Sequence, residues 1–148
     1  KSRKHSYIFI LTDGEEEGLL GSKDLLKKHH LEGVKLIINF DMVGGCKGNS
    51  VGVAPILQKK DRYIEKALQK IEKDIINKKV LINLTLDKKE PVDRTDLSVF
   101  TKEKYSGIDM GYCLNNEYHT PKDTIEKLNF NTMDSVVKYL VLLVETYM

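Results

Sequence analysis

The sequence predicts an α/β fold, in which a largely parallel sheet carries helices on its faces. Apolar runs of strand length alternate along the chain with amphipathic helical patterns. The main strand-like runs are residues 7–12, 36–40 and 107–114, and the main helical patterns are residues 22–30, 61–77 and 132–147. Strands that alternate with helices are typical of β-α-β units, and such units build parallel sheets.

The first third of the chain contains two predicted buried strands. Residues 7–12 are rich in β-branched and aromatic side chains, which predicts a central strand. A short helix is expected at residues 22–30, and a second buried strand at residues 36–40. Residues 51–54 are expected to form a short edge strand that Pro55 ends.

The remainder of the chain continues the pattern. Residues 61–77 form the clearest amphipathic helix, and residues 80–86 alternate with period two, as a strand does. Residues 107–114 predict another strand, and residues 132–147 predict a last helix with Asn131 as its N-cap. The predicted buried stripe of that helix is Met133, Val136, Val137, Leu140, Val141 and Val144.

Composition excludes several classes of protein. The 148 residues suit one domain, and 24 basic against 22 acidic residues give a formal net charge of +2. Such a balance offers no electrostatic basis for binding nucleic acid or an anionic membrane. The two cysteines, Cys46 and Cys113, are too few for a disulfide framework, and neither belongs to a Cys-x-x-Cys metal or redox motif. No apolar run is long enough to span a membrane.

Three segments carry the side chains that suggest chemistry. Glu15, Glu16 and Glu17 follow the first predicted strand, and Asp41 closes the second. His119 lies in a polar turn far along the chain. Carboxylates and imidazole are ligands that zinc accepts. Each signal also has a simple structural reading: a solvated acidic turn, a turn cap and an exposed loop histidine.

Taken together, these segments resemble the M28 family of zinc aminopeptidases. The resemblance rests on Gly-Glu-Glu-Glu-Gly-Leu-Leu-Gly-Ser at residues 14–22, Asn-Phe-Asp-Met-Val-Gly at residues 39–44 and Tyr-His-Thr-Pro at residues 118–121. The three motifs occur in the family's order. The resemblance implies a three-layer αβα fold with a mostly parallel mixed sheet, of the zinc-dependent exopeptidase type.

The resemblance also implies a site. Glu15 matches the general acid/base, and Glu16, Asp41 and His119 match zinc ligands, with Asp41 on one ion and His119 on the other. Tyr118 matches a tyrosine that stabilises the oxyanion in some members. The complete site would hold two Zn²⁺ ions and hydrolyse peptides at their N-terminal residue. The oligomeric state, the N-terminal residue preferred, and dipeptidase or carboxypeptidase action are open at this point.

The match to the family is incomplete in two ways. The first histidine ligand and the bridging aspartate precede the first strand in the family, so we expect residues 1–148 to be the C-terminal portion of a single catalytic domain. By itself, such a portion is expected to lack a complete two-metal site. Residues 95–100 keep the family's aspartate and phenylalanine, but Leu97 stands where a histidine is frequent. Asp96 is expected either to cap the following helix or to support the site.

Two other functions fit the same fold. A glutaminyl cyclase-like acyltransferase shares the double-glutamate signature, although residues 16–22 are more compact than the cyclase pattern. A non-catalytic, protease-like binding domain is the other alternative. Such domains tend to lose ligands, whereas this chain keeps every ligand that its span could contain. As a family property, a secreted or periplasmic location is favoured.

Overall fold

A computed structural model of the chain describes residues 6–29, 31–45, 50–77, 83–86, 94–111 and 116–147. The described strands are β1 (Ile37–Asp41), β2 (Ser50–Ile56), β3 (Asn83–Leu86) and β4 (Gly107–Gly111). The described α-helices are α1 (Leu20–Lys28), α2 (Tyr63–Asn77), α3 (Asp96–Lys102) and α4 (Phe130–Tyr147). The structure confirms the predicted α/β class.

The four strands form one mixed sheet in the order β1-β4-β2-β3. β1 runs parallel to β4, β4 runs antiparallel to β2, and β2 runs parallel to β3. Asn39 pairs with Asp109 and Asp41 pairs with Gly111 in the β1–β4 register. The carboxyl ends of these two parallel strands therefore meet at one edge of the sheet.

The two faces of the sheet have different contents. One face holds the hydrophobic core, in which side chains of β2 and β4 pack against α2 and α4. The core members are Val51, Val53, Ile64, Leu68, Ile71, Ile108, Met110, Val136, Tyr139 and Leu143. Because side chains alternate along a strand, Asp109 and Gly107 lie on the opposite face, which α3 covers. One face of the sheet thus carries the apolar core, and the opposite face carries the polar residues near the site.

The prediction of a central strand at residues 7–12 is wrong. Residues 6–14 are not part of the described sheet, and the side chains of Ile8, Phe9 and Leu11 are 72%, 92% and 101% exposed. A strand needs a neighbour to satisfy its backbone and cover its side chains. Within the described residues, no strand lies beside this segment, so its apolar content is not buried.

The expected edge strand at residues 51–54 is instead an inner strand. β2 pairs with β3 on one side and β4 on the other, and it continues through Pro55 to Ile56. Pairing with β3 ends at Val53, so Pro55 lies where one side of β2 has no described neighbour. A residue without an N–H is tolerated at such a position.

Two details of the last helix also differ from the prediction. The side chain of Asn129 accepts a hydrogen bond from the Thr132 amide at 3.2 Å, so Asn129, and not Asn131, provides the cap. Val137 and Val141 are 58% and 49% exposed. The buried stripe runs instead through Thr132, Ser135, Val136, Tyr139 and Leu143. Most of α4 is apolar, so its sequence allows two overlapping stripes.

Some predictions lie outside the described residues. These are the cysteines Cys46 and Cys113, His30, residues 80–82 of the strand predicted at residues 80–86, and residues 112–114 of the strand predicted at residues 107–114. Within the described part of the chain, no helix is long and apolar enough to cross a membrane.

Candidate metal centre

The glutamates lie on a tight turn that leads into α1. Gly14 and Gly18 have positive φ angles of 61° and 97°, and the amides of Leu19 and Leu20 bond back to the carbonyls of Glu15 and Gly14. Gly21 packs so closely that a Cβ there would lie 2.5 Å from the Asp13 carbonyl oxygen. Glycine is therefore required for a compact turn, and this turn fixes the backbone that carries Glu15 and Glu16.

Glu16 and His119 meet directly, although 103 residues separate them in sequence. His119 Nε2 lies 2.6 Å from Glu16 Oε1. The two side chains are 64% and 54% exposed, so solvent and ions can reach them. An imidazole nitrogen and a carboxylate oxygen are both ligands that zinc accepts, and the two groups would have to move slightly apart from this hydrogen bond to share one ion.

The backbone at His119 is held in an uncommon conformation. Its φ angle is 58°, in the left-handed region that costs free energy for a residue with a side chain. The Tyr118 ring stacks on the imidazole, with centroids 3.7 Å apart and planes inclined by 22°. Loss of hydration and the charge of Glu16 raise the pKa of the Tyr118 phenol. This geometry keeps a neutral phenol beside the histidine.

Asp41 ends β1 at the carboxyl edge of the sheet. The next residue, Met42, has a φ angle of 56°, which turns the chain sharply after the carboxylate. Gly111 pairs with Asp41 and has a φ angle of 147°. Among the described residues, no hydrogen-bond donor contacts the Asp41 carboxylate. Such a carboxylate is available to a cation.

Electrostatic repulsion from neighbouring carboxylates adds to the effect of burial on the pKa of Glu15 and of Asp41. Burial raises the pKa of Glu15, and the charges of Glu16, Asp41 and Asp96 raise it further. Burial also raises the pKa of Asp41, and Asp109 and Asp96 add to that effect. An ionised cluster of this kind is unfavourable without a cation, and a bound cation would relieve the repulsion.

These donors do not gather at a single point. Within the described residues, no group of three or more histidine, cysteine, aspartate or glutamate side chains is arranged to hold one metal ion. Glu16 and His119 form a direct pair, and the Asp41 carboxylate is near enough for the charge of Glu16 to add to the rise in its pKa that burial causes. These carboxylate and imidazole groups fit zinc chemically, and further ligands would be needed to complete a metal centre.

The structure also identifies two buried acidic residues near the site, Asp96, for which the sequence left two roles open, and Asp109, for which it indicated none. Thr95, rather than Asp96, is the N-cap residue of α3, so the capping role expected for Asp96 is wrong. Asp96 is 7% exposed and accepts a hydrogen bond from Thr12. Asp109, which is 1% exposed, was not predicted at all. An acidic residue inside the apolar run 107–114 was the available signal.

An open cleft between α1 and α3, with a volume of about 940 Å³, reaches the glutamates of the turn. Glu15 and Glu16 are among the side chains that line it, so these two carboxylates are accessible from the cleft, whereas Asp41, Tyr118 and His119 do not line it. Leu97, which replaces the expected histidine, does not face this cleft. It is fully buried against Gly107 of β4.

Comparison with known proteins identifies the family. The sequence model of Peptidase family M28 matches residues 1–144, nearly the whole chain. The chain belongs to Peptidase family M28. The resemblance of the three M28 motifs is thereby confirmed, and these motifs contain the turn, the strand end and the histidine loop described above. No curated protein matched the sequence.

Solved structures share the M28 fold with this chain. The LapA aminopeptidase of Legionella pneumophila has a TM-score of 0.66 at 20% identity, and the aminopeptidase of Aneurinibacillus sp. strain AM-1 has 0.63 at 20%. The gamma-secretase component nicastrin has 0.60 at 13%. The chain is covered to 89%, 88% and 82% in these comparisons, and it spans 36%, 30% and 23% of the respective proteins. At these identities the similarity concerns the fold.

Proposed function

We propose that this M28 chain carries three of the zinc ligands and the general acid/base of a metallo-exopeptidase that removes N-terminal residues from peptides. Glu16 and His119 would share one zinc ion, and Asp41 would bind the second. The remaining ligands, one histidine and a bridging aspartate by resemblance to the family, would complete the centre. Bound zinc would polarise the scissile carbonyl and lower the pKa of a bound water.

The chain's own residues would then move the proton. Glu15 lies on the same turn as Glu16 and lines the cleft, and burial and the neighbouring carboxylates raise its pKa, the direction that favours a group that takes and returns a proton. Tyr118 would donate a hydrogen bond from its neutral phenol to the developing oxyanion. The peptide would approach through the open cleft between α1 and α3.

The observation that carries this proposal is the contact between Glu16 and His119. Two residues that the family resemblance assigns as zinc ligands, far apart in sequence, approach within 2.6 Å on an exposed surface. An exposed ion pair contributes little to stability, about 0–1 kcal/mol. The strained backbone of His119 is therefore better explained by a function than by a gain in folding free energy.

The test uses the complete protein that contains these 148 residues. Glu15→Gln keeps the size of the side chain and removes its proton transfer, so we expect turnover of leucine p-nitroanilide to fall by about 10²–10⁴-fold while zinc content is retained. Glu17→Gln, on the same turn, is the matched control and should leave both unchanged. Loss of zinc in Glu15→Gln would overturn the division of roles.

The same assay addresses the alternatives. Conversion of N-terminal glutamine to a pyroglutamyl residue that stays on the peptide, with release of ammonia and without hydrolysis of leucine p-nitroanilide, would support a glutaminyl cyclase-like enzyme. If the zinc-loaded complete protein neither cyclises glutaminyl peptides nor hydrolyses any of a panel of aminoacyl p-nitroanilides, dipeptides and peptides with varied terminal residues, that result would favour a non-catalytic binding domain. The M28 fold alone does not distinguish these functions, because a gamma-secretase component shares it with aminopeptidases.

A further inference from the structure

We infer that Thr95 and Asp96, at the start of α3, position the two halves of the proposed metal centre relative to each other. The inference rests on the proposed function for the identity of those halves. One half is the turn that carries Glu15 and Glu16, and the other is the end of β1 that carries Asp41. We call Thr95 and Asp96 the α3 clamp.

Asp96 attaches the α3 clamp to the turn. Thr12 Oγ1 donates a hydrogen bond to Asp96 Oδ2 at 2.6 Å, across 84 residues of sequence. Thr12 lies three residues before Glu15, immediately upstream of the turn. A hydroxyl that donates to a buried carboxylate forms one of the stronger classes of side-chain hydrogen bond. The contact therefore holds the entry to the turn against α3.

Thr95 attaches the α3 clamp to β1. Thr95 Oγ1 donates to Asp109 Oδ2 at 2.5 Å, and Asn39 Nδ2 donates to Asp109 Oδ1 at 3.0 Å. Asn39 lies two residues before Asp41, so both side chains lie on the same face of β1. Asp109, which is almost fully buried, thus joins α3 to the strand that carries the proposed second ligand.

Among the described residues, no backbone hydrogen bond joins the turn directly to β1. Residues 6–14 lie outside the described sheet, and β1 pairs with β4 alone in that sheet. Side-chain contacts through α3 therefore link the turn to the strand end. Burying two carboxylates costs free energy that an apolar contact would avoid, so a purely stabilising role does not explain them.

The charge of Asp96 also acts on a carboxylate in each half, Glu15 in the turn and Asp41 at the end of β1. Burial raises the pKa of both Glu15 and Asp41, and the charge of Asp96 adds to the shift of each. The second oxygen of Asp96, Oδ1, has no hydrogen-bond partner in the described part of the chain although it is buried. An unpaired buried acceptor is uncommon in a folded protein, and packing alone does not explain it.

Amide hydrogen exchange on the complete protein, freed of metal by EDTA, tests the α3 clamp without metal. Thr12→Val keeps the shape of the side chain and removes the hydroxyl. We expect the amides of Leu19, Leu20 and Gly21, which bond within the turn, to exchange about tenfold faster. Thr12→Ser restores the donor and should behave as the unchanged chain. Exchange unchanged in Thr12→Val, or faster throughout the sheet, would overturn the inference.

Zinc affinity gives the second readout. Residues that orient metal ligands typically change affinity 10–100-fold when removed, so Thr12→Val and Thr95→Val should each weaken zinc binding by about tenfold or more. Thr101→Val is the matched control, because the Thr101 hydroxyl donates to the Ser98 carbonyl of its own helix and makes no hydrogen bond to the turn or to β1 in the described part of the chain. Equal affinity in all three variants would contradict the inference. These affinities are measured on the complete protein, which supplies the remaining ligands. Absence of zinc binding by that unchanged protein would count against the proposed ligands alone, and the exchange result would still decide on the α3 clamp.

Discussion

Gly111 provides the sharpest test of the geometry at the strand end. It pairs with Asp41 and has a φ angle of 147°, a conformation that residues with side chains rarely adopt. A Cβ at this position would overlap the carbonyl oxygen of Asp41, far inside the 3.0 Å below which real Cβ atoms are not found. Gly111→Ala must therefore displace β1 from β4 at the proposed ligand.

The magnitude follows from two contributions. The positive φ angle costs an alanine about 1–2 kcal/mol. Separating the strand ends loses about two backbone hydrogen bonds, each with a net value of about 1 kcal/mol. We expect Gly111→Ala to lower the free energy of unfolding by about 3–4 kcal/mol, a large part of the ~5–15 kcal/mol of a typical domain.

Urea denaturation of the metal-free chain measures this loss. Gly18→Ala is the matched control, because Gly18 also has a positive φ angle, 97°, but no atom lies within 4 Å of its added Cβ. The control should lose only the conformational part, about 1–2 kcal/mol. Equal losses in the two variants would refute the steric argument and the close approach of Gly111 to Asp41.

Two further predictions concern charge and packing. Burial and the charge of Asp109 raise the pKa of Asp41, so the ionised carboxylate destabilises the fold. This destabilisation is absent below the unfolded-state pKa of about 3.9, and it grows as the pH rises through the folded-state pKa. Asp41→Asn should therefore raise the melting temperature in EDTA at pH 7, with a gain that disappears below about pH 4, and an equal melting temperature at pH 7 would contradict this. Leu97→Ala, at a fully buried site, should cost about 2–5 kcal/mol in urea denaturation, whereas Leu20→Ala, at a 55% exposed site, should cost little; similar costs would show that Leu97 is not part of the packed layer.

The sequence predicted the sheet-and-helix alternation well where the apolar periods were long. α2 begins two residues after the predicted start and ends at the predicted residue, because apolar and charged side chains separate cleanly around it. β1 is displaced by a single residue from residues 36–40. Local pattern suffices in these cases, since one face of each element is buried against its neighbours.

The sequence failed where burial depends on distant neighbours. Residues 7–12 have the composition of a buried strand, yet no described strand covers them. Pro55 was predicted to end the strand, but β2 continues to Ile56, because a proline is tolerated where one side of the strand lacks a described partner. Composition shows that a segment could form a buried strand, whereas the neighbouring strands determine whether it is buried.

The candidate site was predictable only in part. Glu16, Asp41 and His119 follow from motifs, but the contact between Glu16 and His119 joins residues 103 positions apart. Asp109 carries no motif, because its role comes from the register that places it beside Asn39. Long-range pairing of this kind has no signature in a single sequence.

The central claim is that Glu16 and His119 bind the same zinc ion. Nitrogen NMR of the imidazole side chains during zinc titration of the complete protein tests this most directly. We predict that zinc shifts the His119 Nε2 signal, that Glu16→Gln weakens this response by about tenfold or more, and that the signal of exposed His29 is unchanged. A His119 signal that does not move at saturating zinc, or that moves equally in Glu16→Gln, would contradict the claim.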